Sequence, residues 1–384
     1  MTLLYSEPER GLADALTDLL SRRSQWDDVL NGRVGPELWR AVGTEIGCAG
    51  LLIPESLGGA EASFREAAVA AEQLGGFVAP VPFIGSAVVA TTALINIVKP
   101  DDLIKGLADG TFTATLAVPY VTGPGAAFPA DIRISGSRSG DDAGVTRLSG
   151  TVRGVADALV GSADVKGTAG AQIADVLLVP AEGVPRGLYV VETSAPGVKL
   201  TPVTSLDMTR QLVDITLDGA PGRVIASRTD AEDAIEAALS AGAAAVAAEQ
   251  LGLAQRCLDI TVSYVKERHQ FGRPVGSFQA LKHRLADVWV AVTQARAASR
   301  YAADCLASGS EDAAVAVALA KSCCSETAVH AAQECVQLHG GIGFTWEHPA
   351  HMYLKRAKAT SLAYGTPAAH RSRLATLANL PGPE

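Results

Sequence analysis

The chain has 384 residues, 48% of them hydrophobic and 19% charged, and carries a formal net charge of −9. That length buries a sizeable core and leaves room for more than one structural region. The acidic balance argues against nucleic acid as a main partner, and no uninterrupted apolar run approaches the ~20 residues of a membrane helix, so neither nucleic acid nor membrane is expected as a partner.

The opening "MTLLYSEPERGLADALTDLL" has acidic residues early and no basic segment leading into an apolar one. A secretory signal is therefore not expected, and the chain reads as cytoplasmic. From about Glu9 to Ala108 the text is helical. "LADALTDLL" has apolar residues at helical spacing, "FREAAVAAEQLGG" stops at Gly75–Gly76, and "SAVVATTALINIV" reads as a buried apolar helix. From about Thr113 to Val224 the signature changes to short β-prone runs such as "DIRISG", "ADVLLVPA", "GLYVVE" and "LVDITLDG", punctuated by Gly, Pro and Asp. These predict an antiparallel β region, a barrel or sandwich. From Asp230 onward long Ala-rich helical stretches return, three of them long enough to form a bundle. The expected organisation is α+β: an N-terminal helical domain over 1–112, a β domain over 113–226 and a C-terminal helix bundle over 227–384.

Six cysteines (Cys48, Cys257, Cys305, Cys323, Cys324, Cys335) form no CxxC and sit mostly in helical text, so reduced, buried thiols are expected. His348 and His351 stand three apart, but Pro349 between them breaks the helix that would align them, so no metal site is expected.

The most informative stretch is "ERHQFGRPVGSFQ", Glu267 to Gln279, which interrupts the helical region with two aromatics, two glycines and a proline. One reading is a plain connector. The other is a ligand grip, with a guanidinium for a phosphate and a flat apolar group for a ring.

Together with "CVQLHGGIGF" and the mid-chain "VTGPGA", this stretch resembles the acyl-CoA dehydrogenase family, and the resemblance covers nearly the whole chain. It implies an acyl-CoA dehydrogenase-like fold with a central β-barrel and a C-terminal four-helix bundle, FAD as cofactor, and α,β-dehydrogenation of an acyl-CoA substrate. By matching position, Arg268, Gln270 and Phe271, with Gln279 nearby, would reach the diphosphate and adenosine end of a neighbouring subunit's FAD. Gln337, Gly340 and Gly341 would line the same end, and Thr122 and Thr366 would touch the flavin's other edge. An electron-transfer flavoprotein is implied as acceptor.

The sequence also departs from the family. The base of the Tyr-Glu-Gly-Thr motif falls on Tyr364 of "SLAYGTPAAH", and the alternative base position, on the first bundle helix, is Gly242. Glu249 is the one carboxylate near, and it matches no family base. The Glu of Val-Thr-Glu-Pro-Gly is absent from "VTGPGAAFP", Phe128 replaces a serine, Gly154 and Ala156 replace the Trp and Thr that pack on the flavin, and Ala368 replaces a glutamine. What survives is what one chain would lend to another's FAD. The resemblance therefore points to the base-lacking subunit of the α2β2 enzymes of steroid side-chain degradation. A self-sufficient homotetramer with a relocated base (Glu249, or Tyr364 in a changed role) and a non-catalytic assembly protein stand as alternatives.

Overall fold

The computed structural model describes residues 3–24, 26–30, 36–97, 102–129, 131–136, 145–160 and 172–380. The N-terminal layer contains α1 (Glu7–Arg23), α2 (Trp26–Leu30), α3 (Pro36–Trp39), α4 (Phe64–Gly76), α5 (Thr91–Ile95) and α6 (Asp102–Ala108). Helices α1 and α4 both start on a capping box, Ser6 with Glu9 and Ser63 with Glu66, which satisfies the free amides of the first turn. The apolar "FIGSAVVA" just before α5 is wound as a π-helix and is wholly buried.

The sheet contains β1 (Ala114–Leu116), β2 (Ile132–Gly136), β3 (Val145–Ala156), β6 (Val176–Ala181), β7 (Gly187–Glu192), β8 (Val198–Val203) and β9 (Leu212–Ser227), with β4 (Leu159–Val160) and β5 (Gln172–Ile173) forming a separate small ladder. Its order is β1-β6-β7-β9-β3-β2, with β8 added along β9. Two expectations are corrected here. The sheet is mixed, because β1 runs parallel to β6. It is also not a closed barrel: it curls until β2 meets the end of β6, where Arg133 and Glu182 form a single bridge and no ladder follows. The reason for the first is that β1 arrives from the helical layer and stays tied to it, with the Ala114 N–H donating to Ser86 Oγ at 3.1 Å. The curl comes with four register shifts, one in β2–β3, two in β3–β9 and one in β7–β9, each adding local twist.

Helices α7 (Thr229–Glu267), α8 (Gln279–Ser308) and α9 (Ala313–His339) are the long members of the bundle, and α10 (Ala350–Leu362) and α11 (Pro367–Leu377) both pack against α9. Between α7 and α8 lies a small hairpin of β10 (His269–Gln270) and β11 (Arg273–Pro274). Helix α7 is long and apolar enough to cross a membrane, but 89% of its most apolar window is buried inside the protein: it is the core helix. All six cysteines are free thiols, and five of them are buried.

Helices α4 and α7 approach so closely because each presents a glycine to the other's backbone. A Cβ on Gly75 would overlap the Glu249 carbonyl of α7, and one on Gly252 would overlap the Glu72 carbonyl of α4. Backbone carbonyls cannot swing aside as side chains do. We therefore expect Gly252→Ala to cost about 2–3 kcal/mol through overpacking, read by calorimetry as a midpoint lower by roughly 2–4 °C; an unchanged midpoint would show that the helices separate without cost.

Candidate functional site

The sequence-predicted residues fall into two groups at different places. Arg268 caps α7, and its exposed guanidinium has no hydrogen bond or ion pair among the described residues. The hairpin that follows turns at Phe271 and Gly272, with φ of +54° and +75°. A two-residue hairpin turn with both φ positive normally takes Asn or Gly, so a phenylalanine there is strained. Its ring is 90% exposed and meets only Phe278 edge-on at 6.1 Å. Gln270 and Gln279 lie exposed beside it. The last turn of α9 brings exposed Gln337, then Gly340 (φ +63°) and Gly341, where a Cβ would meet nothing within 4 Å. The two helix ends are joined by Tyr264 of α7 stacked on His339 of α9 at 4.4 Å. Phe344 and Trp346, 73% and 59% exposed, extend the same end into a bare aromatic surface, of the kind that marks an interface.

The second group lies where the sheet, the N-terminal layer and the bundle meet. Glu249 of α7 is 2% exposed and takes two guanidiniums, each through two nitrogens: Arg210 end-on at 2.8 and 3.3 Å, Arg356 side-on at 2.8 and 3.1 Å. Arg356 also reaches Asp207 at 3.3 Å and Thr209 at 2.8 Å. Arg210 reaches the Tyr120 hydroxyl at 2.8 Å and Asp157 at 3.4 Å. Asp157 in turn accepts from the Gly85 N–H at 2.9 Å. Burial would raise the Glu249 carboxyl, but the two guanidiniums outweigh it and bring it down to about 2. Asp157 is shifted the other way: burial pushes it up, against the pull of Arg210 and Arg356. A carboxylate held ionised by two bidentate cations is a poor proton acceptor, so this geometry suits an ion-pair post and not a base.

Tyr364 adjoins this cluster. Its ring stands edge-on to Tyr120 at 5.6 Å, and burial raises its phenol well above the usual range, so it stays protonated. Thr122 and Thr366 are half-buried next to it, Thr366 capping α11 by accepting from the Ala369 N–H at 3.2 Å. The ion pairs that join Arg210, Arg356, Asp207, Asp157 and Glu249 had no local signal in the sequence; the Arg210–Glu249 pair spans 39 positions and the Arg356–Asp207 pair 149.

Comparison with known proteins sets these two groups in a family. The acyl-CoA dehydrogenase N-terminal domain model matches residues 10–99 and the C-terminal domain model residues 232–378. Acyl-CoA dehydrogenase IpdE2 of Mycolicibacterium smegmatis is 34% identical over 339 residues, 88% of this chain and 87% of that protein. The chain belongs to the acyl-CoA dehydrogenase family. Among solved structures, the ChsE4-ChsE5 complex from Mycobacterium tuberculosis superposes with a TM-score of 0.83 at 27% identity over 100% of both chains. The Tcur3481-Tcur3483 steroid acyl-CoA dehydrogenase variant does so with 0.80 at 29% identity, over 98% of this chain and 99% of that one.

FAD is the cofactor of this family, and the two groups fit it unequally. The free guanidinium of Arg268, the amide of Gln270 and the open backbone at Gly340–Gly341 suit a diphosphate, which needs forked donors and room for close approach. The cleft offers less to the reactive end: Gly154 has no side chain and Ala156 only a methyl to set against a ring, and Tyr364 and Gly242, the positions expected to carry a base, are not carboxylates.

Two outcomes follow. Replacing Glu249 with Leu strands two buried cations and is expected to cost about 3–5 kcal/mol. For Glu249 the folded pKa lies below the unfolded one, so its stabilisation, about 3 kcal/mol, is complete above roughly pH 4.5 and is lost as pH falls toward 2. The midpoint gap between wild type and Glu249→Gln should thus narrow on acidification; a gap that stays constant from pH 6 to pH 3 would remove the ion-pair assignment. At the other end, Phe271→Asn should raise the chain's own midpoint by about 1–2 °C, by relieving roughly 1 kcal/mol of turn strain, while lowering retained flavin.

Proposed function

We infer that this chain is the companion subunit of a two-subunit, FAD-dependent acyl-CoA dehydrogenase, contributing the nucleotide-gripping residues to a partner's FAD. The observation that carries this is one of distance along a single helix. Gly242, at a family base position, and Arg268, at the fork, both belong to α7 or its cap and are about 26 residues, or roughly 39 Å, apart. One dinucleotide cannot place its tail at Arg268 and its ring over Gly242 of the same chain. The fork therefore serves another subunit, as it would in a homotetramer too; with Tyr364 and Gly242 at the expected base positions this chain's own cleft has no carboxylate base, and that favours a companion over a self-sufficient enzyme. The ChsE4-ChsE5 complex and the Tcur3481-Tcur3483 protein, each named for two chains, support a heteromeric reading, and the latter's being a steroid acyl-CoA dehydrogenase supports a bulky, steroid-derived acyl-CoA.

In this reading Arg268 donates to the diphosphate oxygens, Gln270 and Gln337 hydrogen-bond the nucleotide, Phe271 covers an apolar face, and Gly340–Gly341 let backbone amides approach. Gln279 fixes the start of α8 beside the fork. When bound, FAD supplies the acceptor for the hydride leaving the acyl β carbon. The partner supplies the carboxylate that takes the α proton, since Tyr364 is protonated and Glu249 is occupied by two arginines. An α2β2 assembly in the cytoplasm, passing electrons to an electron-transfer flavoprotein, completes the proposal.

The chain purified alone should carry little flavin; co-purified with a family member that has the base, it should be yellow and active. Arg268→Ala in that assembly should lower FAD per protein at least tenfold at limiting FAD, the weight of about 1.5–3 kcal/mol for a charged hydrogen bond. A lone chain that binds FAD stoichiometrically and turns over acyl-CoA would overturn the reading in favour of a self-sufficient homotetramer.

A further inference from the structure

We propose that the Tyr364 ring is a built-in occupant of a small-aromatic binding cavity, so that this chain's cleft is sealed against acyl ligands and accepts a phenol-sized molecule only once the ring is cut away. The proposal rests on the companion-subunit reading only for the name of the excluded ligand; the cavity itself rests on packing.

Two segments close on Tyr364, each having given up a side chain to do so, and Tyr364 itself is strained. On α7, a Cβ at Gly242 would lie 2.8 Å from Cε1 and 3.0 Å from Cζ of the Tyr364 ring. In the "VTGPG" loop, a Cβ at Gly123 would lie 2.9 Å from the Tyr364 carbonyl oxygen and 3.1 Å from the Gly365 Cα. Both distances are shorter than real Cβ contacts tolerate. Tyr364 itself adopts φ of +49°, a conformation that a bulky residue takes only when its surroundings impose it. Those surroundings are explicit. Its N–H donates to the Tyr120 carbonyl at 2.8 Å, and its carbonyl accepts from His370 Nε2 at 2.8 Å. The next carbonyl, Gly365, accepts from Lys321 Nζ at 3.2 Å, and Lys321 is itself fully buried.

What remains of the cleft is a cavity of about 10 Å³, lined by Gly85, Val89, Leu116, Tyr120, Ala156 and Tyr364 among others. That is room for about one water and for no part of an acyl chain. Its walls are mostly apolar, and one of them, Tyr120, is held from behind by Arg210, whose guanidinium donates to the Tyr120 hydroxyl at 2.8 Å and is itself paired with Glu249, so that this wall is braced against moving inward. Removing the ring should therefore leave an unfilled, ring-shaped void rather than a healed core, and an apolar void of that size binds small aromatics.

The experiment uses the full chain, with 4-methylphenol and octanoyl-CoA as probes, followed by calorimetry and titration. Tyr364→Ala is expected to lower the midpoint by about 4–6 °C. It should then bind 4-methylphenol one to one and recover about 2 °C at ten times its Kd, whereas wild type binds neither probe. Gly242→Ala should lower the wild-type midpoint but have little effect in the Tyr364→Ala background, a coupling that only direct contact gives. If Tyr364→Ala does not fold, Tyr364→Leu takes its place, with xenon as probe and a bound-xenon resonance absent from wild type as the expected result. One-to-one binding of octanoyl-CoA by the wild-type chain overturns the proposal, as does 4-methylphenol or xenon binding wild type and variant alike or neither. Flavin content, which decides the companion-subunit reading, is not read in any of these arms, so the two can fail separately.

Discussion

One buried carboxylate organises the interior. Glu249 sits on the central helix and receives four hydrogen bonds from two arginines, one carried by the segment entering β9 and one by α10. Taking a charge out of water is costly unless it is fully paired, and here the pairing recruits the sheet, the core helix and the C-terminal helices at once. Asp157 extends the same cluster to the N-terminal layer through Gly85. Two guanidiniums face three carboxyls, and the carboxyl that burial pushes upward is Asp157, which moves the cluster toward charge balance. The regions are thus fixed to one another by electrostatics at the place where a cleft would otherwise open between them.

The other end of the bundle has the opposite character. The Arg268 guanidinium lacks a partner among the described residues, Phe271 faces solvent from a strained turn, and Phe344 and Trp346 are largely exposed, Trp346 against Lys355 and His351. An isolated globular protein gains nothing from such a surface. Rigid and self-satisfied at one end, unsatisfied at the other, the molecule is polarised along its longest helix within the acyl-CoA dehydrogenase fold.

Features written in local pattern were legible in the sequence. The helix ending at Gly75–Gly76, the buried apolar segment before α5, and the break at Pro274 each follow from residues within a turn or two of one another, and each appears in the structure. The fork and the Gly340–Gly341 turn could be read as belonging together through family resemblance, and the Tyr264–His339 stack is the contact that joins their helices. What local pattern could not supply were the long-range pairings. Arg356 in "HMYLKRAKATS" looks like any solvated cation, yet it is 1% exposed and bonded to Glu249 and Asp207. The sheet misled for a related reason: strand direction and closure depend on which edge meets which, and short runs of Val and Leu do not encode that for β1 or β2. The losses at positions 123, 242 and 364 were visible one at a time; that they describe a single packed contact was not.

The continuity of α7 has a consequence beyond this chain. Because no kink or loop intervenes between Gly242 and Arg268, the fork cannot drift relative to the closed cleft, and the helix acts as a ruler. Whatever assembly forms must space its neighbours to match the number of turns in that rod, so an insertion of a single residue would rotate the fork by about 100° around the helix axis and misalign the union of subunits without altering any residue that touches either one.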